Sequence, residues 1–106
     1  MSVIEPSQAQ QDLLRSRMES LRGRFQARIA EDLDAMTAAL ARLDHEMLRD
    51  RSHRLMGVAA TFGYPKIGEA ARVLEQSIDR DAPEGEIGSA ARRLFALLKF
   101  AQSGAQ

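Results

Sequence analysis

The chain has 106 residues, with 15 basic and 15 acidic side chains, two histidines and no cysteine. This length suits one modest domain, and the balanced charge provides no net field to attract nucleic acid or an anionic membrane. Without cysteine there is no disulfide framework or thiolate metal site, and two histidines make a dedicated zinc cage improbable. Abundant alanine and leucine with 5% aromatic residues favour helices, and a protein partner is expected.

Residues 1–10 are polar, contain Pro6 and are expected to form a flexible lead-in, with an optional short helix around residues 7–16. They lack the basic start and apolar run of a signal peptide, and no stretch is long enough to span a membrane. A cytoplasmic protein without membrane contact is therefore predicted.

One long helix is predicted next, because apolar residues recur every three or four positions. Gly23 is a candidate bend within this helix. The predicted buried stripe consists of Leu14, Met18, Leu21, Phe25, Ile29, Leu33, Met36, Leu40 and Leu43.

A second helix is predicted from an N-cap at Asp44 to Phe62, with Gly63 as its C-terminal cap. At about 100° per residue, one face of this helix is apolar. That face comprises Leu48, Leu55, Val58, Ala59 and Phe62, whereas His53 and Gly57 point away from it. His53 is therefore expected to face water.

Two further helices complete the predicted fold. The third has Pro65 in its first turn, ends near Arg80 and carries one apolar face: Ile67, Ala71, Leu74 and Ile78. A turn with Asp81 as candidate N-cap leads to the fourth, whose stripe is Ile87, Ala91, Leu94, Leu98 and Ala101. The sequence thus predicts an all-α, up-down-up-down four-helix bundle over residues 11–102, with a frayed tail at residues 103–106.

The pair His53 and Gly57 is the strongest indication of chemistry. Gly57 lies one helical turn beyond His53 on the same face, where its missing side chain leaves the imidazole uncovered. A mid-helix glycine costs about 1 kcal/mol relative to alanine. Close approach of another molecule to His53 would explain this residue.

Glu75 is the predicted partner of this histidine. If the second and third helices form an antiparallel hairpin that turns near Gly63 and Tyr64, Glu75 comes level with His53. A carboxylate there could fix the tautomer and direction of the ring. The alternative is a surface glutamate paired with Arg72.

The segment from His53 to Gly63 resembles the histidine-containing phosphotransfer (HPt) family, whose pattern is approximately His-x-Leu-Lys-Gly, then small residues, then Phe-Gly or Leu-Gly. The matching positions are His53, Leu55, Gly57, Phe62 and Gly63. Thr61-Phe62-Gly63 is similar to the phosphotransfer domain of chemotaxis kinases. One position departs from the pattern, because Met56 replaces the usual lysine.

The resemblance implies a phosphocarrier without kinase activity of its own. His53 would accept a phosphoryl group from an aspartate of one receiver domain and pass it to another. Glu75, twenty-two positions later like the chemotaxis glutamate, would orient the ring. Response-regulator receiver domains and a hybrid sensor histidine kinase are the implied partners of a monomer. The receiver would contribute Mg²⁺, and the chain itself would need no cofactor or metal.

Met56 leaves the family's positive charge near the phosphoryl group missing. Arg49, one turn before His53, and Arg72, one turn before Glu75, are candidates to supply that charge. The receiver is expected to dock on the face around His53, which includes Glu46, Arg49, Asp50, Gly57 and Ala60.

Three alternatives fit less well. His45-Glu46 superficially resembles a histidine kinase box, but Arg49 occupies the position of a small polar residue, so a local structural role is expected for His45. A helical interaction module without phosphorylation would not need an orienting carboxylate or Gly57. A haem or metal bundle would need inward-facing ligands, and neither histidine faces inward by periodicity.

Overall fold

The computed structural model describes residues 7–104. They form four helices: α1 (Gln8–Ala41), α2 (His45–Ala59), α3 (Pro65–Asp79) and α4 (Glu84–Gln102). Helices adjacent in the chain pack together, and α1 also packs against α4, which closes the group into a bundle. The predicted all-α four-helix bundle is confirmed.

The connection between α2 and α3 sets up the hairpin that carries the candidate site. Asp44 caps the start of α2, where its carboxylate accepts a hydrogen bond from the Met47 N–H at 3.1 Å. The helix ends at Ala59, three residues before the predicted Phe62. Gly63 then adopts a left-handed φ of 83°, and the N–H of Tyr64 donates to the Ala59 carbonyl at 2.9 Å. A left-handed glycine after a helix end lets the chain reverse without steric cost.

Several predicted boundaries differ from the structure. Residues 8–16 are not a separate helix but the first turns of α1, which begins with a capping box between Ser7 and Gln10. The helix continues through Gly23. The expected lead-in is therefore helical from residue 8, while residues 1–6 and the tail residues 105–106 lie outside the described part. Asp81 has a left-handed φ of 53°, and Pro83 instead precedes the first turn of α4.

The core is formed by the apolar faces of all four helices. The entire predicted stripe of α4 is buried, whereas Val58 and Ile78, at the edges of their stripes, are half-buried. The stripe of α1 is buried only from Phe25 onward. Leu14, Met18 and Leu21 are 40–55% exposed, because α1 has 34 residues and the next longest helix has 19. Leu43 is also exposed, since the chain leaves the helix before it.

A buried carboxylate links α1 to α2. Asp32 is 2% exposed and accepts a hydrogen bond from the Arg51 guanidinium at 2.8 Å. Its second oxygen has no hydrogen bond and lies 3.6 Å from Arg28. The bond to Asp32 raises the pKa of Arg51 above its ordinary value. None of the helices within residues 7–104 combines the length and apolar character needed to cross a membrane.

Candidate functional site

His53 projects from the solvent-facing side of α2, and its side chain is 63% exposed. The side chain of Glu75, on α3, is only 12% exposed and reaches the ring. Nδ1 of His53 lies 3.0 Å from Oε1 and 3.2 Å from Oε2 of this carboxylate. In the tautomer that this contact favours, Nδ1–H donates to Glu75 and Nε2 carries the free lone pair.

Small residues allow α2 and α3 to approach closely enough for this contact. Gly68 on α3 is buried, and a Cβ there would lie 3.8 Å from both the Ala59 Cβ and the Met56 carbonyl oxygen. Ser52, next to His53, is fully buried and donates its hydroxyl to the Leu48 carbonyl at 2.7 Å. The hairpin therefore fixes the height of His53 relative to Glu75.

The outer side of the imidazole is open. Nε2 of His53 forms no hydrogen bond within residues 7–104. A Cβ at Gly57 would meet nothing within 4 Å, so internal packing gives no reason for this glycine. A molecule that approaches the ring would pass over Gly57 without obstruction from a side chain.

Arg49 lies on the inner side of the same pair. Its Nε donates to Asp79 at 2.5 Å, and its terminal nitrogen is 3.6 Å from Oε1 of Glu75. The hydrogen bond and charge of Asp79, and then the charge of Glu75, raise the pKa of Arg49 above its ordinary value. Glu75 thus lies between the imidazole and a guanidinium.

Sequence reasoning missed Asp79, although a signal for it was present. In an antiparallel hairpin, moving four residues away from the turn along both helices leads from His53 and Glu75 to Arg49 and Asp79. The register that predicts the first pair therefore also predicts the second.

The remaining predicted site residues lie at different distances from this cluster's chemistry. Arg72 pairs with Glu69 on its own helix and not with Glu75, so the proposed Arg72–Glu75 pair is wrong. That contact lowers the pKa of Glu69 and raises that of Arg72. Met56 is half-buried against the core. The exposed residues on the His53 face of α2 are Glu46, Asp50, Gly57 and Ala60.

His45 makes a contrasting contact at the start of α2. Its Nε2 lies 3.0 Å from Oε2 of Glu84 on α4, and its side chain is 31% exposed. The nitrogen farther from the backbone is therefore occupied by a carboxylate, whereas in His53 that nitrogen is open. His45 links two helices and presents no comparable nucleophile.

Within the described part of the chain, no group of three or more histidine, cysteine or acidic side chains could hold a metal ion. The cluster instead has the composition of a nucleophilic site. An exposed imidazole is held by a carboxylate through one nitrogen and is open at the other, on a four-helix bundle. This combination defines a class of proteins that carry a group on histidine.

Comparison with protein families gives the particular family. The model of the Hpt domain matches residues 20–101, which is most of the chain. The chain therefore belongs to the family of histidine-containing phosphotransfer domains, which act as phosphocarriers in phosphorelays. Neither the curated proteins nor the solved structures yielded a match to the chain.

Proposed function

We propose that this protein is a monomeric intermediate of a two-component phosphorelay, in which His53 accepts a phosphoryl group from a receiver-domain aspartate and passes it to another receiver domain. The observation that supports this role is the contact of Nδ1 with Glu75, which leaves Nε2 of an exposed ring open. Family membership supports the same reaction class.

The chemical step uses Nε2 of the neutral imidazole as nucleophile. Its lone pair attacks the phosphorus of the aspartyl phosphate, a P–N bond forms, the P–O bond breaks and the aspartate leaves as a carboxylate. Positive charge develops on the ring during attack, and the Glu75 carboxylate stabilises it through Nδ1–H. Transfer to the next receiver reverses these bond changes.

Most of the remaining catalytic groups, including Mg²⁺, are expected from the receiver domain. No cluster of catalytic acids or bases beyond the described pair surrounds His53 within residues 7–104, and no nucleotide-binding domain lies in this part of the chain. We therefore assign the protein a carrier role without ATP-dependent kinase activity.

Arg49 acts in this proposal through Glu75. The guanidinium is held by Asp79 and attracts one Glu75 oxygen, which keeps the carboxylate against the ring. Direct contact of Arg49 with the phosphoryl group would require it to leave Asp79. Arg72 has a carboxylate partner of its own, Glu69.

The receiver docks on the exposed face of α2 around His53. Glu46 and Asp50 supply negative charge on one side of the histidine, while Gly57 and Ala60 present a surface with little side-chain volume on the other. The small residues allow the aspartyl phosphate to approach Nε2. The charged residues would set the choice among receivers.

Phosphotransfer profiling tests the proposal. The protein is incubated with each phosphorylated receiver domain from the same genome, and label on the protein is measured for the wild type, His53→Gln and His45→Gln. We expect transfer from at least one receiver, loss of label in His53→Gln with an unchanged circular dichroism spectrum, and full label in His45→Gln. Undiminished labelling of His53→Gln, or labelling that depends on His45, would refute the assignment.

A further inference from the structure

The N-terminal half of α1 extends beyond the bundle. Every residue from 7 to 24 is exposed, and Phe25 is the first buried one. We call residues 8–24 the α1 extension. The match to the Hpt domain begins at residue 20, so most of the extension lies outside the part of the chain that defines the family.

The extension carries an apolar stripe that no other part of the described chain covers. Leu14, Met18 and Leu21 are 55%, 52% and 40% exposed, and they lead directly into Phe25. Their spacing of four, three and four residues is that of alternating d and a positions in a heptad repeat. The stripe is only about 60° wide at 100° per residue, which is the width of a seam that packs against one helix.

Arginines border this stripe on both sides. Arg15 and Arg22 occupy the e positions of the repeat, and Arg17 and Arg24 occupy the g positions. Within residues 7–104, Arg17, Arg22 and Arg24 form no ion pair, and Arg15 reaches only Asp12, at 4.0 Å. The acidic residues of the extension, Asp12 and Glu19, lie on the opposite side of the helix.

A second copy of the chain does not complement this pattern. A parallel pair of helices brings e positions beside g positions, and an antiparallel pair brings e beside e and g beside g. Both arrangements place arginine against arginine along the seam. Like charges at these positions oppose association, which argues against a homodimer through the extension.

We propose that the α1 extension is a docking site for an amphipathic helix of a partner protein whose apolar seam is bordered by glutamate or aspartate. Such a helix would bury the stripe and pair its acidic side chains with the four arginines. A helix of about 17 residues without tertiary contacts is marginal in water, so the partner would also stabilise the extension. The narrow stripe favours a helix over a lipid surface, which suits a broader apolar face.

The test uses two synthetic helical peptides of about three heptads, both with leucine at a and d. The acidic peptide has glutamate at e and g, and the basic control has lysine there. Binding to the intact protein is measured by calorimetry, together with hydrogen exchange of residues 8–24. Ultracentrifugation without peptide measures self-association, and flotation with phosphatidylcholine vesicles, with or without phosphatidylserine, measures membrane binding.

Two variants locate the binding and one provides a control. The triple variant Leu14→Gln, Met18→Gln, Leu21→Gln removes the stripe while keeping a good helix former at each position. The quadruple variant Arg15→Glu, Arg17→Glu, Arg22→Glu, Arg24→Glu reverses the flanking charge. The control is Leu13→Gln, because Leu13 is 52% exposed but lies outside the stripe. All these residues are exposed, so the bundle should remain folded.

We expect the wild type to bind the acidic peptide, to protect residues 8–24 from exchange and to bind the basic peptide at least about tenfold more weakly. The stripe variant should lose binding, the charge-reversed variant should prefer the basic peptide, and Leu13→Gln should bind like the wild type. Failure to bind the acidic peptide, equal binding of both peptides, dimerisation through the extension, or binding to anionic vesicles instead of peptide would each overturn the proposal. His53→Gln should bind normally, so this result is independent of phosphotransfer.

Discussion

At the scale of single residues, the candidate site depends on how Glu75 is held. Its carboxylate lies between the Nδ1 of His53 and the guanidinium of Arg49, and Asp79 fixes that guanidinium from the other side. A carboxylate constrained from two directions loses less rotamer freedom when it orients the imidazole. The aim of His53 is therefore a property of the four side chains together.

Replacing Glu75 tests its role as the orienting group. Glu75→Ala should slow phosphorylation of His53, because the ring loses the acceptor that fixes its tautomer and stabilises the developing charge. Unfolding free energy should fall by less than about 1 kcal/mol, since only one polar contact is lost. Stopped transfer assays give the rate, and ring ¹⁵N shifts give the tautomer. An unchanged rate with unchanged shifts would make Glu75 a bystander.

Gly57 separates the needs of folding from those of docking. A Cβ at this position meets nothing within 4 Å, so Gly57→Ala should raise the unfolding free energy by roughly 0.5–1 kcal/mol. Gly57→Gln should keep the fold but slow transfer about tenfold, because the longer side chain occupies the path of the receiver. Urea unfolding and transfer kinetics measure the two effects. Full transfer by Gly57→Gln would show that no partner approaches over this residue.

At the scale of elements, α2 is fixed from both sides. The hairpin with α3 aligns His53 with Glu75, and the buried pair of Asp32 and Arg51 ties α2 to α1. His45 adds a contact to Glu84 at the start of α4. The face that carries His53 therefore lies on a helix that each of its neighbours restrains.

Removing one partner of the buried pair should be costly. Arg51→Met leaves Asp32 as a buried charge with only Arg28 nearby, and should lower the unfolding free energy by roughly 2–4 kcal/mol. Arg54→Met, at an exposed neighbouring position, should change it by less than about 0.5 kcal/mol. Urea unfolding compares them, and Asp32→Leu combined with Arg51→Met should recover most of the loss. Equal stability of the two single variants would contradict the bracing role of Arg51.

At the scale of the whole molecule, periodicity predicted which face of a helix is apolar but not whether a neighbour covers it. The stripe of α4 is buried throughout because its neighbours run alongside it. The same pattern in α1 continues to Leu14, yet burial stops at Phe25, where the other helices end. Local sequence contains no information on this mismatch of helix lengths.

The candidate site was predictable where it depends on hairpin register and unpredictable where it joins distant elements. Counting from the turn brings Glu75 to His53, and one further turn brings Asp79 to Arg49. The contacts from Asp32 to Arg51 and from His45 to Glu84 depend on how α1 and α4 pack around α2, which no spacing within the hairpin specifies. The partners of the relay and the direction of phosphate flow remain matters for the profiling experiment.

The most direct test of the account is to identify the nitrogen that carries the phosphoryl group. The protein is labelled with ¹⁵N and phosphorylated by a receiver found in the profiling, and long-range ¹H–¹⁵N spectra of both histidine rings are recorded. The account predicts phosphorus on Nε2 of His53, with Nδ1 still protonated toward Glu75 and the His45 ring unmodified. Phosphorus on Nδ1 of His53, or on His45, would contradict it.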